Sequence, residues 1–181
     1  MNANSEIENG FARWKSLVEE GNQAYLQNHF ALAETTYADA LKEAESWPKV
    51  ESPQMQNEID SRLGKSLNNM AALYHTQGKY KMAEELYLRA LELKRRLYGE
   101  EHEEVALNLQ NLAITYGAKK NYEQAERFFK RALEIREKLL GMEHPDIAQT
   151  LRNYALLLRK QGRKEESERL EQRAATLLKK K

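Results

Sequence analysis

Leu67-Asn68-Asn69-Met70-Ala71 returns as Leu109-Gln110-Asn111-Leu112-Ala113 and again as Leu151-Arg152-Asn153-Tyr154-Ala155, each time 42 residues further along the chain. The register holds outward from there. Tyr80 and Ala83 match Tyr122 and Ala125, Tyr87 and Ala90 match Phe129 and Ala132, and Leu97-Tyr98-Gly99-Glu100-Glu101-His102 matches Leu139-Leu140-Gly141-Met142-Glu143-His144. A fixed period in the range of about 20 to 50 residues marks a solenoid, in which each unit buries its apolar face against the next.

Within one unit the pattern is helix, short turn, helix. Apolar residues stand at 67, 70, 71, 73 and 74 and, after Gln77-Gly78-Lys79, resume at 80, 83, 86, 87, 90, 91 and 93, which is helical spacing. Gly78 suits the left-handed position that ends a helix. Ala71, Ala83 and Ala90 let two antiparallel helices approach to about 8–10 Å, with Tyr80 and Tyr87 filling the space beside them. Gly21, Phe30, Ala33, Tyr37 and Ala40 stand 50 residues before Ala71, Tyr80, Ala83, Tyr87 and Ala90, which makes a first, divergent unit. The extra residues fall between Trp47 and Leu67. There Ser52 reads as an N-cap and Pro53 as the first helical residue, and Met55, Ile59, Leu63 and Leu67 follow at spacing four, so this helix is expected to start about two turns early. In the fourth unit Lys164, Ser167 and Glu171 replace the aromatic and small residues, as a polar helix closing the core would require. The expected organisation is a flexible segment at 1–12, one solenoid over 13–178 with repeats at 14–47, 53–98, 103–140 and 145–178, and a frayed tail at 179–181.

Composition agrees with an all-α chain. Charged residues make up 31%, and 8 glycines and 3 prolines are too few to punctuate a sheet protein. The formal charge of +1 gives no chain-wide attraction to nucleic acid or to an anionic membrane. Without cysteine there is no disulfide framework or thiolate site. No apolar run approaches the ~20 residues that span a bilayer, and the first ten residues lack a signal peptide's pattern, so a cytoplasmic chain is expected.

The order small residue, Tyr, Gly before Tyr, Ala, aromatic, Ala resembles the tetratricopeptide repeat. The longer version here, Leu67 to Ala71 as Leu-Asn-Asn-x-Ala and Leu139 to Ala148 as Leu-Leu-Gly-x-Glu-His-Pro-Asp-x-Ala, is similar to the repeats of kinesin light chains and their bacterial relatives. The resemblance covers roughly residues 14–178. It implies a right-handed superhelix of about four α-α hairpins and a habit of holding peptides. Repeat one lacks the Leu-Gly-x-x-His-Pro segment, repeat two has Glu103 in place of the proline, and no heptad segment is present, so the motor role of kinesin light chains does not carry over. A carboxylate clamp as in chaperone-binding relatives would match at Asn22 and Asn69, but Val18, Leu107 and Asn111 stand where its cations belong.

In such a stack the first helices line a concave groove. Positions opposite the packing stripe are Lys15, Glu19 and Asn22 in repeat one, and Lys65, Asn68, Asn69, Ala72 and His75 in repeat two. Repeat three offers Gln110, Asn111 and Ile114, and repeat four Gln149, Arg152, Asn153, Leu156, Arg159 and Lys160. This set holds five cations and one acid, so a basic groove with an acidic protein or peptide partner is expected. Asn69, Asn111 and Asn153 recur at the repeat period. Each amide could pair with a ligand backbone, at roughly 0.5–1.5 kcal/mol net, or bond to a neighbouring helix and set the geometry between repeats. The cations could pair with ligand carboxylates or simply solvate a helix face.

His102 and His144 stand among acids but lack the spacing of a zinc protease, and are expected to cap helix starts. His29 and His75 have no nearby nucleophile to complete a triad. No catalytic constellation, cofactor loop or metal set is found, and the reading is a non-enzymatic interaction scaffold. Self-association, as monomer or weak homodimer through a stripe of Met55, Ile59 and Leu63 or through repeat one, is the alternative.

Overall fold

The computed structural model describes residues 3–179, and the periodic stripes become eight helices among the described residues. They are α1 (Ala3–Leu26), α2 (Phe30–Ser46), α3 (Pro53–Thr76), α4 (Tyr80–Tyr98), α5 (Glu103–Ala118), α6 (Tyr122–Leu140), α7 (Ile147–Lys160) and α8 (Lys164–Lys179). Each hairpin reverses through one residue in left-handed backbone at the same repeat position: Asn28 (φ 60°), Gly78 (75°), Lys120 (62°) and Gly162 (79°). Ser52 Oγ accepts from the Met55 amide and Pro53 opens α3. His102 caps α5, its Nδ1 accepting from the Glu104 amide at 3.1 Å, whereas His144, also expected to cap a helix start, accepts from the Asp146 amide at 3.2 Å within the turn ahead of α7 and is not that helix's N-cap.

By packing the chain divides into two units, 1–93 and 94–181, with the border inside α4. In the first unit, Ala24, Ala33 and Tyr37 pack with Met70 and Leu73, and Trp14, Val18, Ala40 and Ala44 form a second cluster that takes in Leu63 and Trp47. Gly21 permits this approach, since a Cβ there would lie 2.5 Å from the Tyr37 ring. The segment expected to be flexible at 1–12 is helical from Ala3, with Ile7, two turns before Trp14, buried; Met1 and Asn2 lie outside the described residues. The stripe expected to drive self-association is also largely covered. Ile59 is 4% exposed, Leu63 lies against the Trp14 cluster, and the Arg62 guanidinium sits 3.7 Å over the Phe11 ring. The early turns of α3 exist because the long α1 gives them something to pack on.

In the second unit, Ala113, Ala125, Phe129, Leu151, Tyr154 and Leu158 build a core that ends on Ala174 and Leu177 of α8. Ser167, expected on a polar closing face, is instead buried and donates to the Ala155 carbonyl at 2.8 Å. Its polar atom is satisfied across the hairpin, so a hydroxyl replaces the usual alanine without an unpaired group. Lys164, Glu165, Glu168 and Gln172 do face solvent. Of the expected tail, Lys179 ends α8, and Lys180 and Lys181 lie outside the described residues.

Candidate binding face

Two helices of the second unit, α5 and α7, present a shared face. On α5 it consists of Leu107, Asn111 and Ile114, spaced four and three apart; on α7 it consists of Gln149, Arg152, Asn153, Leu156 and Lys160. Between the helices lies a pocket of ≈ 90 Å³. Ala113, Gly117, Phe129 and Leu157, all buried, form its floor, and the more exposed Ile114, Asn153, Leu156 and Lys160 form its rim. Apolar groups therefore meet an amide and an ammonium at the mouth. Leu156 is 52% exposed and stands between Arg152 and Lys160 on α7.

The predicted groove residues fare unevenly. Asn111 and Asn153 lie on the face, and Asn153 Oδ1 accepts from Gln149 Nε2 at 3.1 Å. Arg152 and Lys160 are exposed and have no ion-pair partner among the described residues. Arg159 is different: its guanidinium reaches Glu171 of α8 at 2.7 Å, so much of its charge is already answered. Gln110 is a correction. It is 7% exposed, and its Oε1 accepts from Arg136 at 2.7 Å and from Thr150 Oγ1 at 2.8 Å, within a buried junction of α5, α6 and α7. Arg136 also holds Glu103 through Nε and Nη2, at 3.0 and 2.6 Å. A buried guanidinium needs several acceptors, and Gln110 is one of them.

In the first unit, the counterpart residues on α1 and α3 are mostly engaged at home. Lys15 lies 3.8 Å from Glu19, and Asn22 Oδ1 accepts from Tyr37 Oη at 2.8 Å. Lys65 is exposed, with its ammonium 5.9 Å from the Trp14 ring centre. His75 is half-buried against Tyr80. Oδ1 of Asn68 and Nδ2 of Asn69 are closed to solvent and have no hydrogen-bond partner in the structure, so neither atom is presented to a ligand.

The sequence reading missed a second recurring set. Glu34 accepts from Gln77 and Lys79 in the first unit, at 2.9 and 3.1 Å; in the second, Glu126 accepts from Tyr154 Oη at 2.9 Å and from Arg163. Burial works against ionisation of Glu126, but hydrogen bonds from Lys130, Arg163 and Tyr154 outweigh it and bring its pKa to about 2. The signal was available in the recurrence of Glu34, Glu84 and Glu126 at repeat spacing, with Lys79 and Arg163 also in register. Glu34 and Glu126 fasten the following turn rather than merely supporting their own helix.

Comparison with known proteins meets this architecture directly. The tetratricopeptide repeat family matches residues 62–138 and 118–180. The chain belongs to the tetratricopeptide repeat family. A family described as a protein of unknown function (DUF2753) also matches, over residues 12–98. No curated protein matches. Among solved structures, BtubC (BKLC) from P. vanneervenii is 24% identical, with a TM-score of 0.60 over 97% of this chain and 85% of that one. The apo form of RapI is 19% identical with a TM-score of 0.77, over 93% of this chain and 57% of its own length. A putative kinesin light chain from Podosopora anserina, with nearly identical TPR-like repeats, is 16% identical with a TM-score of 0.61, over 93% of this chain and 96% of that one. At such identities these structures show the fold alone. Tetratricopeptide repeat proteins are generally non-catalytic scaffolds for protein interaction. Among the described residues of this one, no helix is long and apolar enough to cross a membrane.

Proposed function

We propose that this tetratricopeptide repeat scaffold binds an extended, acidic segment of another polypeptide on the α5–α7 face. The observation that carries the reading is the exposure of Arg152 and Lys160, without ion-pair partners among the described residues, beside an apolar pocket on the same face. A cation whose charge is unanswered at home gains from a ligand carboxylate, and each such hydrogen bond contributes roughly 1.5–3 kcal/mol. Asn111 and Asn153 supply amides that can follow a peptide backbone without reading its side chains. The pull is local, because the whole chain carries only +1. Of the five cations expected along the groove, Arg152 and Lys160 are the two on this face without an ion-pair partner among the described residues. The first unit, whose Lys15 and Asn22 are engaged internally, contributes less to this reading.

Fluorescence polarisation with labelled acidic and neutral peptides, at low and moderate salt, tests it. The acidic set should bind, weaken as salt screens the charges, and lose about tenfold or more in affinity with Arg152→Glu plus Lys160→Glu. Equal losses for acidic and neutral peptides in that double variant would sink the electrostatic part.

A further inference from the structure

We infer that the pocket between α5 and α7, floored in part by Gly117, selects one aliphatic side chain of the bound segment; the inference rests on the reading of the α5–α7 face given above. Successive repeats carry Tyr25, His75, Gly117 and Arg159 at one equivalent position, and only the third leaves it without a side chain. The space is not slack. A Cβ on Gly117 would lie 2.9 Å from Leu157 Cδ1, so Leu157 already occupies the room that a larger residue would use, and the remaining opening lies toward Leu156 and Ile114.

Size and polarity define the occupant. The opening of ≈ 90 Å³ is smaller than the ~150 Å³ cavity that admits a benzene ring, so a branched aliphatic group fits and an indole does not. Its floor is hydrocarbon apart from the Gly117 backbone, which offers a polar side chain no partner. Lys160 and Asn153 at the rim place a positive charge and an amide beside the entering residue, and Arg152 adds a second cation on the same helix. The segment therefore carries a leucine-like residue with aspartate or glutamate close by.

The test uses the full chain and labelled acidic peptides that differ at one guest position, moved along the peptide, occupied by Ala, Leu or Trp. Leu should bind about tenfold more tightly than Ala at one register, and Trp no more tightly than Ala. Gly117→Ala, which sets a Cβ 2.9 Å from Leu157 Cδ1 in the pocket floor, should reduce the advantage of Leu over Ala. Should that variant not fold, Leu156→Ala removes an exposed wall of the pocket and should reduce the same advantage. Equal affinity for Ala and Leu at every register, or a preference for Trp, overturns the pocket inference. If such guest-independent binding is still lost with Arg152→Glu plus Lys160→Glu, the face stands and the pocket alone falls. If no acidic peptide binds at all, both fall together.

Discussion

Ser66 in the first unit and Thr150 in the second occupy the same repeat position, and each is a buried hydroxyl at a junction of three helices, yet they are satisfied by different chemistry. Ser66 Oγ accepts from the Trp14 indole at 2.7 Å, whereas Thr150 accepts from the Arg136 guanidinium and donates to Gln110. The position equivalent to Arg136 in repeat one is Ala44, packed in the Trp14 cluster, and in repeat two it is Lys94, whose side chain is 5% exposed and reaches Glu104 at 2.9 Å. The repeat thus preserves a site for a buried polar contact and leaves the partner open. A neutral, aromatic junction closes the first unit, and ionic ones hold the second. This matters for binding, because an arginine buried at the junction draws Gln110 inward and away from the face.

Three measurements can break or sharpen that contrast. The largest effect is expected from Arg136→Ala, which removes a buried guanidinium and its hydrogen bonds to Gln110, Thr150 and the half-exposed Glu103 and should cost about 3 kcal/mol, against about 1–2 kcal/mol for Trp14→Phe, which mainly removes one hydrogen bond. Urea unfolding of the two variants checks this, and equal losses would mean that the two junctions are energetically alike.

Next comes acid. Glu126, with its pKa lowered from 4.5 to about 2, contributes stability that is complete above its unfolded value near 4.5 and is lost as pH falls from there toward 2. Partial solvent access at Arg163 holds the contribution to roughly 1–2 kcal/mol. Glu126→Gln should flatten that part of a thermal-stability profile against pH; a profile unchanged from the parent chain would remove Glu126 from the account.

The smallest effect concerns the turns. Lys120 holds a left-handed backbone that Gly78 and Gly162 adopt without a Cβ penalty, so Lys120→Gly should stabilise by about 1 kcal/mol, while Asn28→Gly should add only a few tenths, since asparagine tolerates that region. A higher urea midpoint for the first and almost none for the second is the expected result.

The fold was legible because every repeat writes the same constraint twice, once in the apolar period and once in the turn. The alanines at 71, 83, 90, 113, 125 and 132 are all fully buried, as close helix approach demands. The face was only partly legible. Periodicity says which way a side chain leaves its helix, and so it found Asn111, Arg152 and Asn153. It does not say what comes to meet that side chain from another repeat. Gln110 was misplaced because its partners, Arg136 and Thr150, stand 26 and 40 residues away. Arg159 was counted as available because Glu171 approaches from α8. The pocket was invisible for another reason: Gly117 lies in its floor, and in sequence a glycine within a helix reads only as a weakness.

His102 and His144 share one more property. Because Nδ1 of His102 and of His144 each accepts a backbone N–H, the neutral ring must hold its proton on Nε2 in both, one repeat apart. The start of α5 and the turn ahead of α7 therefore each select a single tautomer of their histidine.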